Sequence, residues 1–401
     1  MDVATLMVMV LAGAILLLIT RERPELWLAV GCVLKFSGDS YLTLSTIGSL
    51  MIVGAFVLAL LHPGLGGWIP RGLGWLPVLV PILLAARSFS AQQGADPTDF
   101  LMCSLAAAVA VWCVRAGRPL PVALAVAGVI YLVISLQLGT TDPTGSRFQG
   151  VSGNPNRLVG ALILTLPFIL HAAVRTRRLW VSLVGLGAVA LVVSAVLRTQ
   201  SSQGLAALVV LLVGVAYVWV KQDPRRFPFG FLAACLAGIM AWFNKDKFEF
   251  GTGEIVAESA EDVESWSGRL PLFGRAWEVI LENPWVGSGV SHFDAGGVVD
   301  RSSHNVTLSI GVISGVPVMT MWIVFLVGAL WTARKRMIQG DYWAIAALAA
   351  AVLSLTQTLE LLPLFWLVLA VVVIPVDSRA GEAVHPNDPA EARRPTGATL
   401  G

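Results

Sequence analysis

The strongest constraint on this chain is a pattern that repeats along most of its length: apolar runs of about 15 to 25 residues, each without a charge. In helical form a run of that length crosses the hydrocarbon core of a bilayer. A helix also satisfies its own backbone hydrogen bonds where no water can reach. Charged residues make up 13% of the 401, about half the share of a soluble domain, so a water-soluble fold is excluded. The predicted fold class is an all-α polytopic membrane protein of twelve or thirteen transmembrane helices, with one large outer loop that contains an interfacial helix. Candidate spans are 3–20, 26–36, 42–61, 73–91, 100–114, 119–138, 158–174, 179–197, 204–220, 229–243, 306–331, 342–359 and 361–376. The first is too long for a secretory signal and lacks its small-residue cleavage site. The span at 26–36 is short and ends at Lys35, and the last two are divided only by Glu360.

Sidedness follows from lysine and arginine. Five connections, RERPE (21–25), RAGR (115–118), RTRR (175–178), KQDPRR (221–226) and TARKR (332–336), hold thirteen basic residues. The alternate set, KFSGDS (35–40), SAQQGADPTD (90–99) and GTTDPTGSRFQ (139–149), holds two. The first set is predicted to face the cytoplasm. The outer side then receives 139–157, RTQSSQ (198–203) and the long segment 244–303. Thirteen spans put the N-terminus outside and twelve put it inside; both stay open. A membrane domain is expected over 1–376 and a disordered cytoplasmic tail over 377–401. A net charge of +2 hides this asymmetry, and nothing resembles a nucleic-acid-binding patch. Cys32, Cys103, Cys113 and Cys235 all lie in apolar runs and read as small buried hydrophobes.

The outer face carries the chemistry-bearing residues. The first half of 244–303 is acidic and reads as a solvated loop. In the second half, PLFGRAWEVILEN (271–283) places Leu272, Phe273, Ala276, Trp277, Ile280 and Leu281 on one helical face, with Pro271 suited to the first turn. That pattern fits a helix in the membrane interface or one packed on top of the bundle. Arg269, just ahead of it, reads either as a cation beside unpaired helix N–H groups that suits a phosphate, or as an arginine snorkelling to lipid headgroups. Asn154 is expected to cap the next span with Pro155 at its first position. Arg157 then falls where the helix dipole disfavours a cation, a conflict that a bound anion, Asp142 or plain water would relieve. Arg147 is a second cation nearby, and Asn156 a supporting polar residue. The connection LRTQSSQG (197–204) offers Arg198 and Gln203, or is an ordinary short loop.

His304 stands at the mouth of the span that begins near 306, followed at once by Asn305. An imidazole near neutral pH can accept a proton from a hydroxyl; a lone histidine at a helix mouth can equally be structural. Ser302 or Ser303 is expected to cap the helix, placing His304 in its first turn. No HExxH, paired CxxC or paired acidic motif falls on the outer side, so the sequence offers no ligand set for a metal.

Read in order, GNPNRLVGALILTLP, TQSSQGLAAL, SGRLPLFGRAWEVILENPWVGSGVSHF and SHNVTLSIGVISGVPVMTMW resemble the bacterial O-antigen ligase family of lipid-linked glycan ligases and polymerases. The resemblance covers roughly residues 150–331. It implies about a dozen spans, a large late periplasmic loop, and a donor glycan on undecaprenyl diphosphate delivered at the outer face of the inner membrane. It further implies a glycan or glycolipid acceptor such as a lipid A core sugar, and no cofactor or metal. By the same resemblance His304 is the catalytic base, with Asn305 in support, and Arg269 the loop arginine that binds donor diphosphate. The family's arginine in the Ser-Arg step is absent, because the stretch reads Ser201-Ser202-Gln203-Gly204; Arg198 is the nearby cation. A ligase that moves a finished glycan, a polymerase with the same chemistry, and a transfer to a protein hydroxyl share this signature. A transporter or flippase fits less well, since few charges interrupt the spans.

Overall fold

The computed structural model describes residues 22–37, 41–61, 72–90, 97–141, 145, 147–175, 179–222, 266–289, 304–357 and 359–374. The predicted spans at 3–20 and 229–243, the acidic half of the loop, Cys235 and the tail 377–401 lie outside the described residues. Twelve α-helices are described: α1 (Pro24–Leu34), α2 (Leu42–Leu61), α3 (Leu76–Ser90), α4 (Pro97–Arg115), α5 (Leu120–Leu138), α6 (Pro155–Arg175), α7 (Leu179–Arg198), α8 (Ser202–Gln222), α9 (Trp266–Glu282), α10 (Val306–Ile338), α11 (Tyr342–Ser354) and α12 (Pro363–Val372). All but α9 fall on predicted spans, and six are long and apolar enough to cross a membrane by themselves. The chain is an all-α polytopic membrane protein. Sheet among the described residues is one two-stranded antiparallel ribbon, β1 (Thr140–Thr141) with β2 (Phe148–Gly150).

Proline marks where several helices start, because a first-turn residue needs no N–H partner. Pro24, Pro97, Pro155 and Pro363 each open their helix. The predicted span 342–359 stops at Ser354, and a link, 355–362, separates it from α12. Leu362, held extended at φ −106° and ψ 111° ahead of Pro363, cannot continue a helix. Glu360 therefore stands within an eight-residue link rather than at a one-residue break.

α12 forms the centre. Every residue of it is buried, as expected of a helix apolar on all sides. Trp366 and Phe365 pack with Trp322 and Phe325 of α10. Its last carbonyls, of Val371 and Val372, each accept a hydrogen bond of 2.7 Å from buried Arg336, which also pairs with Asp341 at 2.6 Å. α1 and α2 touch backbone to backbone: a Cβ on Gly48 would come within 2.8 Å of the Gly31 carbonyl.

Contacts among the described residues tie several connections together at the two ends of the bundle. At one end Arg118 donates to the Glu22 carbonyl, and Arg336 meets Asp341 and the end of α12. At the other end Lys35 pairs with Asp99 at 2.6 Å, and Arg147 donates to the Thr199 carbonyl. Arg87 donates to the Gly287 carbonyl there, and Asn305 to that of Leu355.

Candidate functional site

The site is built at that second end, from the mouths of α6, α8 and α10. Asn154 caps α6 as expected: its Oδ1 accepts from the N–H of Asn156 at 2.8 Å and of Arg157 at 3.3 Å. Two residues on, the Asn156 side chain accepts a 2.7 Å hydrogen bond from Ser201 Oγ. Ser201 is the cap of α8, accepting from the Gly204 N–H at 3.2 Å, so the mouths of α6 and α8 are stitched through their caps. Thr199 closes α7 by donating to the Val196 carbonyl, and its own carbonyl accepts from Arg147 Nε at 3.1 Å. Arg198 lies over the Phe148 ring, 5.0 Å from its centroid. Four sequence candidates, Arg147, Asn156, Arg157 and Arg198, thus stand around one turn, with Gln203 buried beneath it. The short ribbon presents Phe148 to Arg198, and Arg147 just ahead of it reaches the Thr199 carbonyl. Spacing in sequence gave no hint of that, because the partners are about fifty residues apart.

The mouth of α10 differs from expectation. Asn305 is the cap, its Oδ1 accepting from the Leu308 N–H at 3.1 Å, and Ser302 and Ser303 lie outside the described residues. Asn serves as well as Ser in this role. Its amide nitrogen also reaches the Leu355 carbonyl at 3.2 Å, which a serine hydroxyl is too short to do at the same time. His304 therefore precedes the cap instead of lying in the first turn. It has left-handed backbone, φ 49°, uncommon outside glycine and more frequent at functional sites. One turn into α10, Ser309 donates to Glu360 Oε1 at 2.6 Å. Glu360 is 3% exposed. Burial raises its carboxyl pKa, and against the lowering by the Ser309 hydrogen bond and the field of Arg157 the net result is about 7. The sequence signal for Glu360 was present as an isolated acid between apolar runs; what it touches was not.

α9 begins at Trp266, five residues before Pro271, so Arg269 lies in its first turn rather than ahead of it. The helix packs part of its apolar face on the bundle and leaves part of it exposed. Leu272, Ala276, Val279 and Ile280 are buried against the bundle, whereas Trp277 and Leu281, with Trp285 and Val286 in the turn that follows, are exposed. The turn after α9 docks on α10. The Pro284 carbonyl accepts from the Val316 N–H at 2.7 Å, and the Ser288 N–H donates to the Val312 carbonyl at 2.7 Å. α10 breaks there at Gly315, φ 81° and ψ 178°. The small residues of GVISG do admit close neighbours: Ile280 of α9 at Gly311 and the α9 turn at Gly315. The α9 loop and the mouth of α10 are thereby fixed to one another.

These features define a class: a multi-pass helical membrane protein that gathers arginines, capping amides and a histidine at one end of its bundle. Residues 187–323 match the family model described as O-antigen ligase, which supports an assignment to that family. The matched segment holds Arg198, Gln203, Arg269, His304 and Asn305. No curated protein matches the chain. The match supports an enzyme of the ligase or polymerase kind.

Proposed function

We propose that this protein is a metal-independent membrane glycosyltransferase. It moves a glycan from undecaprenyl diphosphate to an acceptor hydroxyl, on a lipid A core sugar or similar glycolipid, at the periplasmic face of the inner membrane. The observation that carries this reading is the shared end of the bundle. His304 stands at a helix mouth there, the arginines 147, 157 and 198 stand around the caps of α6 and α8, and α9 brings Arg269 on the loop docked to α10. Residues 1–376 act as one transferase domain.

In the proposed step His304 takes the proton of the acceptor hydroxyl. The acceptor oxygen bonds to the anomeric carbon as the carbon–oxygen bond to the diphosphate breaks, and undecaprenyl diphosphate leaves with the electron pair. Arg269, Arg198, Arg157 and Arg147 hold the charge that develops on it. Asn305, Asn154, Asn156 and Gln203 support the cations and the base. The exposed edge of α9, with Trp277, Leu281 and Trp285, faces membrane lipid where the donor's tail arrives.

The test is transfer by purified protein, supplied with undecaprenyl-diphosphate-linked oligosaccharide and a lipid A core acceptor, with products resolved by size. One added block is the ligase outcome. A ladder of blocks on the lipid carrier is the polymerase outcome and corrects the acceptor. Absence of any transfer, together with protein-dependent movement of the lipid-linked glycan across vesicles, overturns the reading in favour of a flippase.

A further inference from the structure

The link 355–362 threads between the first turn of α10 and the face of α6 that carries Gly160. A Cβ on Gly160 would lie 3.4 Å from Gln357 Oε1 and 3.7 Å from Leu359 Cδ2. Arg157 stands three residues before Gly160, on the same face and one turn nearer the helix mouth. Glu360 lies in the second half of the link. Its Oε1 is held by Ser309 and its backbone carbonyl accepts from Trp366 Nε1 at 2.8 Å, while Oε2 is buried with no hydrogen-bond partner among the described residues. A buried carboxylate oxygen left unpaired carries a free-energy cost that some other group must offset. Arg157 has the complementary defect. Its residue is exposed, it lies in a helix first turn where the dipole disfavours a cation, and among the described residues its guanidinium has no hydrogen-bonded or ion-paired partner. The two charges sit close enough for the field of Arg157 to act on Glu360.

We propose that Glu360 is a positioning residue that works through Arg157: its carboxylate draws the guanidinium back over the seam between α6 and the link, and an incoming diphosphate competes for it. This rests on the donor assignment under Proposed function. Competition of this kind makes the site reversible. Arg157 is lent to the diphosphate during transfer and is drawn back as undecaprenyl diphosphate leaves. Ser309 holds the carboxylate to α10, the helix whose mouth carries His304, so the tether and the base share one support.

The experiment measures binding of undecaprenyl diphosphate to the purified full chain, above neutrality where the carboxylate is ionised. Two neutral variants are used, Glu360→Gln and Glu360→Met, so that a folding failure of one leaves the other. Glu360→Gln keeps the volume and an acceptor for Ser309. Expected is binding about three- to tenfold tighter than wild type, from the loss of one opposing charge at an effective dielectric near 20. The turnover number should fall, since product leaves more slowly, with an unchanged melting temperature. In an Arg157→Ala background the same replacement should leave affinity where it was. Unchanged affinity in both neutral variants, while Arg157→Ala weakens binding, overturns the inference and leaves the donor assignment standing. A lower melting temperature with weaker binding makes Glu360 merely structural and overturns it as well. An equal effect with and without Arg157 shows that Glu360 does not act through it. Failure of the wild type to bind undecaprenyl diphosphate sinks the donor assignment, and this inference with it.

Discussion

His304 and Asn305 form a unit in which one residue is held so that the other can be used. Asn305 ties the start of α10 to Leu308 within the helix and to Leu355 across the link. Replacing it with alanine removes both bonds. The cap alone is worth about 0.5–2 kcal/mol, so a fall of a few degrees in melting temperature is expected. Asn305→Asp, which keeps the acceptor, should retain most of that stability; equal melting of both variants would show that the cap contributes nothing. Arg269 is argued as a bidentate contact to diphosphate, so even Arg269→Lys should weaken donor binding. Charged hydrogen bonds contribute about 1.5–3 kcal/mol, so Arg269→Ala is expected to lose roughly ten- to a hundredfold in affinity; normal donor binding by the alanine variant would remove the assignment. At this scale the sequence was most legible where chemistry is local. Asn154 could be read as a cap because its partners lie within three residues. Ser201 with Asn156, and Glu360 with Ser309, are pairs made by tertiary packing, and no local rule announces them.

Among the elements, the spans were readable because bilayer thickness imposes one length on all of them. Their ends were not, since a helix end is decided by whichever side chain reaches its free N–H groups or carbonyls. Hence α10 starts at the Asn305 cap, α11 stops at Ser354, and α9 gains a turn before Pro271. The break in α10 is the element-scale feature with most consequence. Gly315 has a backbone conformation that side-chain-bearing residues avoid, and a Cβ there would come within 2.7 Å of the Pro284 carbonyl. Gly315→Ala should therefore cost about 1–3 kcal/mol in strain and displace the α9 turn from α10, so that transfer falls more than stability alone explains. Melting and transfer measured on the same purified variant check this. A variant with unaltered transfer would mean that α9 needs no fixed seat on α10.

For the whole molecule, sidedness rests on the uneven distribution of lysine and arginine between the two sets of connections. A cysteine at Ser259, in the long loop between two basic connections, should react with a membrane-impermeant thiol reagent once the outer membrane is opened. Labelling only after the inner membrane is lysed would invert the topology. The opposite end is held by Arg336, which ties the end of α10 to Asp341 and to the last carbonyls of α12. Arg336→Ala leaves Asp341 half-buried without its cation, and removing one member of a buried pair typically costs about 3–5 kcal/mol. A large loss of thermal stability is expected, without a specific loss of donor affinity in the fraction that stays folded. The central claim is that this bundle brings an acceptor hydroxyl to His304 and a lipid-linked diphosphate to the arginines at one membrane face. Its most direct test is a single-turnover transfer assay on purified wild type and His304→Gln, with donor binding measured in parallel. A general base contributes about 10²–10⁴-fold, so the predicted result is donor binding near wild type with transfer slowed by that factor. Transfer by His304→Gln at close to the wild-type rate would contradict the account, and would leave the histidine a structural residue at the mouth of its helix.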